Sequence, residues 1–246
     1  VDTLITKNEN PDSLGLKMLG YKIAKLKRNK VVDNSKVLLS LNNVSTSNPD
    51  PFSVNLKNIN FSLKTGQILG IAGVAGNGQN ELMEIFLNEN NDSFKGNIIF
   101  KNENINQLST LDRKRLSISY VTEQRLGHSA VPDMSLTENV LLSMSHNKNF
   151  VKNDLINFKD ISHHTDKIIQ KFNVNTPSNL SKASQLSGGN LQKFIIGREI
   201  LSNPELLILS QPTWGIDAGS ESFIRKTLID LSLNGISIII ISHDID

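Results

Sequence analysis

Three short runs of almost wholly apolar residues constrain the fold of this 246-residue chain more than any other feature. They are QILGIAGV (67–74), ELLILS (205–210) and ISIIIIS (236–242), and helical patterns occur at 191–202 and 221–235. Strands that are apolar on both faces are typical of parallel sheets covered by helices on both sides. The sequence therefore predicts an α/β fold with a mostly parallel sheet.

Weaker patterns complete this picture. Alternation of apolar and polar residues predicts half-buried strands at 37–44 and 58–66. Short apolar runs predict two more strands, at 96–100 and 117–121. Helical spacing follows the glycine-rich turn at 81–87 and recurs within 135–183, near 136–145 and 161–172. The middle of the chain is therefore expected to be mainly helical.

The first 35 residues differ from the rest. A short helical pattern is followed by a basic run at 22–30, and such runs are typically solvated or, less often, contact an acidic surface. We interpret residues 1–35 as a tail and linker that belong partly to something upstream. The main domain is then expected in residues 36–246.

Composition excludes several classes of protein. Apolar residues make up 38% and charged residues 20%, which is ordinary for a globular domain. The net charge of +2 gives no support to a nucleic-acid binder that works by bulk electrostatics. Cysteine is absent, so disulfides, thiol catalysis and cysteine-based metal sites are excluded. No apolar run approaches the roughly 20 residues of a membrane-spanning helix.

The sequence GVAGNGQNE (73–81) lies between a predicted buried strand and a predicted helix. That context suits a phosphate-binding loop, in which backbone N–H groups and a helix N-terminus face an anion. Gly73 and Gly78 have the spacing of G-x-x-x-x-G-K-[ST], but Gln79 replaces the lysine and Asn80 the hydroxyl residue. A tight strand–helix turn without a ligand remains the alternative.

Two more segments could contact an anion. Ser187, Gly188 and Gly189 directly precede a strong helical pattern, which predicts either an anion site or simply a capped helix start. His243 follows the last apolar strand, at the sheet edge where ligands of α/β proteins bind, although a lone histidine is more often structural.

The end of the strand at 205–210 lacks carboxylates. In phosphate-loop NTPases an aspartate at this point holds Mg²⁺, and a glutamate after it would polarise the attacking water. Here Ser210 and Gln211 occupy these positions, and neither can act as a carboxylate base. Loss of a general base typically lowers a rate by about 10²–10⁴-fold.

Together these segments resemble the ATP-binding cassette (ABC) ATPases. LSGGN, a helix, LLILSQPTWGID and then ISHD follow the glycine-rich turn in the family's order, and the resemblance covers about residues 36–246. GIAGVAGNGQNEL and VTEQR (121–125) are similar to the second cassette of tandem ATPases from simple-sugar and nucleoside importers. In that subgroup Arg is frequent where this chain has Trp214, and Asp where it has Gln124.

The resemblance implies ATP as the nucleotide and Mg²⁺ as its metal, with Asn80 and Glu123 as weak metal ligands. The positions matching the family's phosphate loop are Gly73, Gly76, Asn77, Gly78, Gln79, Asn80 and Glu81, and those matching its signature are Ser187, Gly188, Gly189 and Asn190. Catalytic positions match at Gln211 (the usual glutamate), Asp217 (the D-loop) and His243 (the switch histidine), while Glu123 matches the Q-loop. Phe52 is a candidate to stack on adenine or a core residue.

The resemblance also implies the fold and the partners. The expected fold is that of the ABC-type P-loop NTPases, a mostly parallel sheet with an antiparallel β edge and a helical subdomain at about 134–184. Expected partners are a second cassette, encoded upstream on the same polypeptide, integral membrane permease subunits and, indirectly, a substrate-binding lipoprotein, with no nucleic acid. The protein would lie peripherally at the cytoplasmic face of the membrane, and its C-terminus at 246 is expected to be truncated.

The departures from the family predict an asymmetric pair of sites. In the family two cassettes face each other, and each ATP lies between the phosphate loop of one cassette and the signature of the other. This chain combines a nearly intact signature with a degenerate phosphate loop. We expect hydrolysis at the site that uses the signature and little or none at the site that uses residues 73–81. The alternatives are a catalytically dead dimerisation half and an ABC ATPase that works outside transport.

Overall fold

The computed structural model of the chain describes residues 36–47, 54–88, 94–153 and 155–243. In these ranges the strands are β1 (Val37–Thr46), β2 (Ile59–Lys64), β3 (Ile68–Ala72), β4 (Phe94–Phe100), β5 (Glu103–Asn104), β6 (Ile118–Val121), β7 (Val151–Lys152), β8 (Leu155–Ile156), β9 (Leu206–Ser210) and β10 (Ser237–Ser242). The α-helices are α1 (Gln79–Leu87), α2 (Thr110–Arg115), α3 (Leu136–Ser143), α4 (Phe158–Lys171), α5 (Gly188–Ile200) and α6 (Ala218–Leu233). The predictions for residues 1–35 and for Phe52 fall outside these ranges.

The apolar runs form a parallel sheet in the order β3-β10-β9-β6. Every residue of β9 is buried, and Ile239 of β10 pairs with Leu69 on one side and Ile208 on the other. Such strands cannot face water on either side, so both faces of the sheet must be covered by other elements. The predicted α/β class with a mostly parallel core is confirmed.

The alternating strands form an antiparallel sheet of their own, in the order β2-β1-β4-β5. Strand β1 is central, with Leu41 facing Phe61 of β2 and Ile98 of β4. Its buried leucines share one apolar core with α1 and with residues of the parallel sheet such as Ile208 and Ile239. The antiparallel part is thus a second layer and not merely an edge.

The middle of the chain is helical, as the pattern predicts. Helix α3 begins with a capping box between Ser135 and Glu138, and α4 begins after Asn157, whose side chain accepts the N–H of Asp160. Both helices pack with α5 around a second core. The assignment of 134–184 as a separate subdomain stays a prediction. No described helix combines the length and the apolar character needed to cross a bilayer.

A buried ionic cluster joins this helical region to α5. Glu199, 2% exposed, accepts hydrogen bonds from the Ser143 hydroxyl (2.7 Å) and Arg198 Nε (2.9 Å), and Lys114 Nζ lies 3.5 Å away. Burial alone would raise the pKa of the Glu199 carboxyl, but Lys114, Arg198 and the hydrogen bonds together hold it below its ordinary value. The carboxylate is therefore charged in the folded protein at neutral pH.

Replacing Glu199 by Gln is expected to lower the free energy of unfolding by about 3 kcal/mol, because the buried Arg198 and the half-buried Lys114 lose their counter-charge. Urea titration of both proteins measures the difference. Since the folded pKa is depressed, the stabilisation is present above the ordinary value of 4.5 and is lost as the pH falls through the folded value. The matched control is Glu221→Gln, which breaks a surface pair with Arg225 and should cost less than about 1 kcal/mol. Equal losses in both variants would contradict the prediction.

Candidate functional site

Four predicted site segments meet at the carboxyl edge of the parallel sheet. The loop at 73–81 follows β3, His243 follows β10, Gln211 follows β9 and Glu123 lies just after β6. The end of β10 ties two of them together, because Gly73 N–H donates to the Ser242 carbonyl (3.2 Å) and Gln211 N–H to the Ile241 carbonyl (2.9 Å). Crevices at this edge are where α/β proteins bind ligands.

The side chain of Gln79 lies inside the loop at 73–81. It is 7% exposed, its Oε1 accepts the Asn77 N–H (3.0 Å), and its Nε2 donates to the Val74 carbonyl (3.0 Å). A Cβ built on Gly73 would lie 2.8 Å from Gln79 Nε2. A phosphate loop binds anions with its free backbone N–H groups. The Gln79 side chain occupies one of them, the Asn77 N–H, and adds no positive charge.

The glycines allow the loop to make its turn. Gly76 and Gly78 have φ of 82° and 101°, which side-chain-bearing residues rarely adopt. Gly78 precedes α1 without a side-chain cap, so the start of this helix keeps N–H groups for another acceptor. Glu81, in the first turn, accepts the Val54 N–H (3.3 Å) and thereby fixes the neighbouring segment.

A cleft of about 470 Å³ lies between α1 and the loop after β6. Asn80, Glu123 and Ser210 line it, together with His128 and Trp214. The side-chain oxygens of Asn80, Glu123 and Ser210 are of the type that Mg²⁺ prefers, and Glu84 adds a second carboxylate to the lining of the cleft. No group of three or more His, Cys, Asp or Glu that could hold a metal occurs in the described ranges. The donor set thus fits a Mg²⁺ that arrives bound to phosphates, and not an independent metal site.

Both the backbone conformation and the side-chain environment of Gln211 are unusual. It is 4% exposed, its φ is 50°, and its Nε2 has no hydrogen-bond partner within the described part of the chain. Left-handed backbone at a residue other than glycine costs free energy and tends to occur at functional positions. An amide can donate a hydrogen bond here but cannot accept a proton from water as a carboxylate base would.

The start of α5 is open to solvent. Ser187 and Gly188 are exposed, and the Ser187 side chain does not cap the helix. Instead, Ser187 Oγ accepts from Asn190 Nδ2 (3.0 Å), while Asn190 Oδ1 accepts the N–H of Asn175 (2.8 Å). The first N–H groups of α5 therefore have no side-chain cap.

Asp217 caps α6 next to this helix start. Its pKa is lowered because the Ser220 N–H (2.9 Å) and hydroxyl (2.7 Å) donate to the carboxylate. A Cβ built on Gly189 would lie 2.8 Å from Asp217 Oδ2, so the starts of α5 and α6 are in close contact. The predicted site residues thus form two groups, one at the sheet edge and one around residues 187–190 and Asp217.

Comparison with known proteins decides the family. A model described as "ABC transporter" matches residues 56–214, which is more than half of the chain. The chain belongs to the ABC transporter family. Among curated members of the ABC family, 247 aligned residues are 30% identical to the guanosine import ATP-binding protein NupO of Bacillus subtilis, covering 100% of this chain and 48% of that protein. The ribose import ATP-binding protein RbsA of Clostridium tetani is 34% identical over 239 residues, covering 97% and 46%. The chain spans about half the length of these relatives.

Solved ABC cassettes share the fold. A dimeric bacterial ABC transporter cassette, MJ0796, superposes with a TM-score of 0.72 at 22% identity, over 85% of this chain and 89% of that one. The cassette cbiO1 of Clostridium perfringens has a TM-score of 0.65 at 25% identity, over 85% and 80%. The predicted ABC-type P-loop NTPase fold is confirmed.

Proposed function

We propose that this chain is the ATP-binding half of an importer for a small solute, a simple sugar or a nucleoside. In this proposal, residues 187–190 (the signature) complete the ATP site of a second cassette. The chain's own phosphate loop, residues 73–81, binds nucleotide weakly or holds it without turnover. Import is suggested by the relatives, which are described as guanosine and ribose import ATP-binding proteins.

One contrast carries the proposal. The signature is exposed at Ser187 and Gly188, whereas in the phosphate loop the Asn77 N–H is already bonded to the buried side chain of Gln79. Backbone amides that face outward can bind the phosphates of a nucleotide carried by another domain. The position of the family's catalytic carboxylate holds Gln211, which provides no base. We therefore assign hydrolysis to the composite site formed by the signature of this chain and the phosphate loop of the second cassette.

Other residues of the site have supporting roles in this proposal. His243 lies beside the phosphate loop and would contact the outer phosphate, and Asp217 would act across the dimer contact. Asn80 and Glu123 would complete the coordination of a Mg²⁺ that arrives with ATP, where the ion neutralises phosphate charge. Their oxygens lie around one cleft, which supports this assignment.

The partners follow from this role. The second cassette would supply the intact phosphate loop, membrane permease subunits would carry the solute, and a substrate-binding lipoprotein would act on them indirectly. The chain would thus associate peripherally with the cytoplasmic face of the membrane. In this proposal Glu123 belongs to the loop that would couple nucleotide to the permease.

A catalytically dead dimerisation half is the second candidate. It is favoured by the internal bonds of Gln79 and by the absence of carboxylates at Ser210 and Gln211. In that case nucleotide binding at the signature would hold the dimer together without turnover. An ABC ATPase that works outside transport is the third candidate.

The test uses the intact protein, by which we mean this chain together with the second cassette of the proposal. It is co-purified with its permease and then reconstituted into liposomes with the binding protein. We expect ATP hydrolysis that rises when ribose or guanosine is supplied. Co-purification without any ATP hydrolysis would favour the second candidate, a catalytically dead dimerisation half. Failure to bind a permease, with ATPase activity retained, would favour the non-transport ATPase.

A further inference from the structure

Arg125 lies where three segments of the chain meet. It follows Glu123 by two residues, and its Nη2 donates a hydrogen bond to the carbonyl of Trp214. A Cβ built on Gly188 would lie 3.0 Å from Arg125 Nη1, and one on Gly215 would lie 3.7 Å from Nη2. The guanidinium is therefore placed between the start of α5 and the turn that precedes α6.

Arg125 carries its charge in a partly buried position. Burial lowers the pKa of its guanidinium, and within the described ranges no carboxylate lies at ion-pair distance. By contrast, the buried Arg113 donates to the carbonyls of Ile85, Phe86 and Ile105. Arg125 is thus a partly buried cation whose hydrogen bond goes to the backbone of a neighbouring segment and not to a counter-charge.

The loop that carries Arg125 does not depend on it for attachment. At the other end of α5, Arg198 Nη2 donates to the Ser129 carbonyl (2.8 Å), and within the loop Gly127 N–H donates to the Ala130 carbonyl (2.8 Å). The Arg198 bond fixes the loop to the helix, and the Gly127 bond closes the loop on itself. The contact of Arg125 with the Trp214 carbonyl instead links this loop to the segment before α6, which Gln192 Nε2 of α5 also holds through the Pro212 carbonyl (3.0 Å).

We propose that Arg125 is a positioning residue of the composite ATP site. Its planar guanidinium holds the turn at 214–217 against the start of α5, so that the signature and Asp217 face the second cassette in one fixed relation. The inference rests on the proposed function. A lysine would keep the charge but lose the planar fork that reaches both segments at once.

Steady-state ATP hydrolysis by the intact protein tests the inference. Arg125→Ala is expected to lower kcat about tenfold while KM for ATP changes by less than about twofold, because misplaced groups weaken the transition state more than ground-state binding. Arg125→Lys should recover part of the loss. The matched control is Arg115→Ala, which removes an exposed arginine paired with Asp112 and should leave both constants unchanged. An unchanged kcat in Arg125→Ala, or a loss that falls equally on kcat and KM, would overturn the inference.

Hydrogen–deuterium exchange of this chain separates the inference from the proposed function, since it needs no turnover. In Arg125→Ala we expect amide exchange at 214–217, where the Trp214 N–H donates to the Gln211 carbonyl, to rise about tenfold, with exchange at 129–130 unchanged because Arg198 still holds that loop. Unchanged exchange at 214–217 would overturn the role of Arg125 even if the intact protein hydrolyses ATP. Absent hydrolysis by the unaltered protein, with exchange raised as expected, would count against the proposed function alone.

Discussion

Replacing Ser187 by Arg is expected to reduce ATP hydrolysis by the intact protein at least about 100-fold. Removing one well-placed donor from a developing charge costs about 10²–10³ in kcat. The larger side chain would also occupy the exposed start of α5, where Ser187 and Gly188 meet the second cassette in our proposal. Phosphate release from the purified intact protein measures the effect.

Ser184→Arg is the matched control for this variant. Ser184 is also exposed and lies three residues earlier, so the variant adds the same charge and bulk outside the signature. We expect its rate to stay within about twofold of the unaltered protein. Equal losses in the two variants would show that bulk on this face inhibits in general. Full activity of Ser187→Arg would exclude a catalytic role for the signature.

Replacing Gln79 by Lys is expected to strengthen ATP binding at the chain's own phosphate loop by about ten- to a hundredfold. The change releases the Asn77 N–H that Gln79 now occupies. It also adds a cation, and hydrogen bonds to charged groups contribute about 1.5–3 kcal/mol. The single tryptophan, Trp214, lines the same cleft as Asn80 and is 65% exposed, so its fluorescence can report nucleotide binding in this chain.

Gln79→Met separates the two causes. Methionine has a similar size and breaks both internal bonds, but it brings no charge. We expect its affinity for ATP to stay within about threefold of the unaltered chain. If Gln79→Met gains as much as Gln79→Lys, the internal bonds alone weaken the loop. If Gln79→Lys gains nothing, the account of the phosphate loop is wrong.

The long elements could be predicted because burial imposes a pattern on their sequence. Strands β9 and β10 are apolar at most positions since both faces are covered, the buried residues of α6 recur every four positions, and α5 is buried on nearly all sides. Helix α2 and the hairpin of β7 and β8 were not predicted. They contain between two and six residues, too few for a periodic pattern to emerge.

The site was predictable only in part. The residues after β3, β6, β9 and β10 could be placed at one edge, because parallel strands end on the same side of a sheet. The sequence does not reveal that Gln79 turns inward, that Gln211 adopts positive φ, or that Arg125 contacts Trp214. The positions of Arg125 and Gln211 depend on contacts with distant segments, and that of Gln79 on the three-dimensional path of the loop, which residue patterns do not encode. Arg125 and Trp214 were therefore missed as site residues.

The central claim is that, of the two sites in the pair, only the one using Ser187 turns over. Rapid-quench analysis of the intact protein, saturated with radiolabelled MgATP and followed through its first turnover, counts the ADP formed. We expect a burst of a single ADP per intact protein, with a second ATP recovered unhydrolysed if residues 73–81 retain one. A burst of two would contradict the claim, because the phosphate loop that contains Gln79 would then hydrolyse ATP as well.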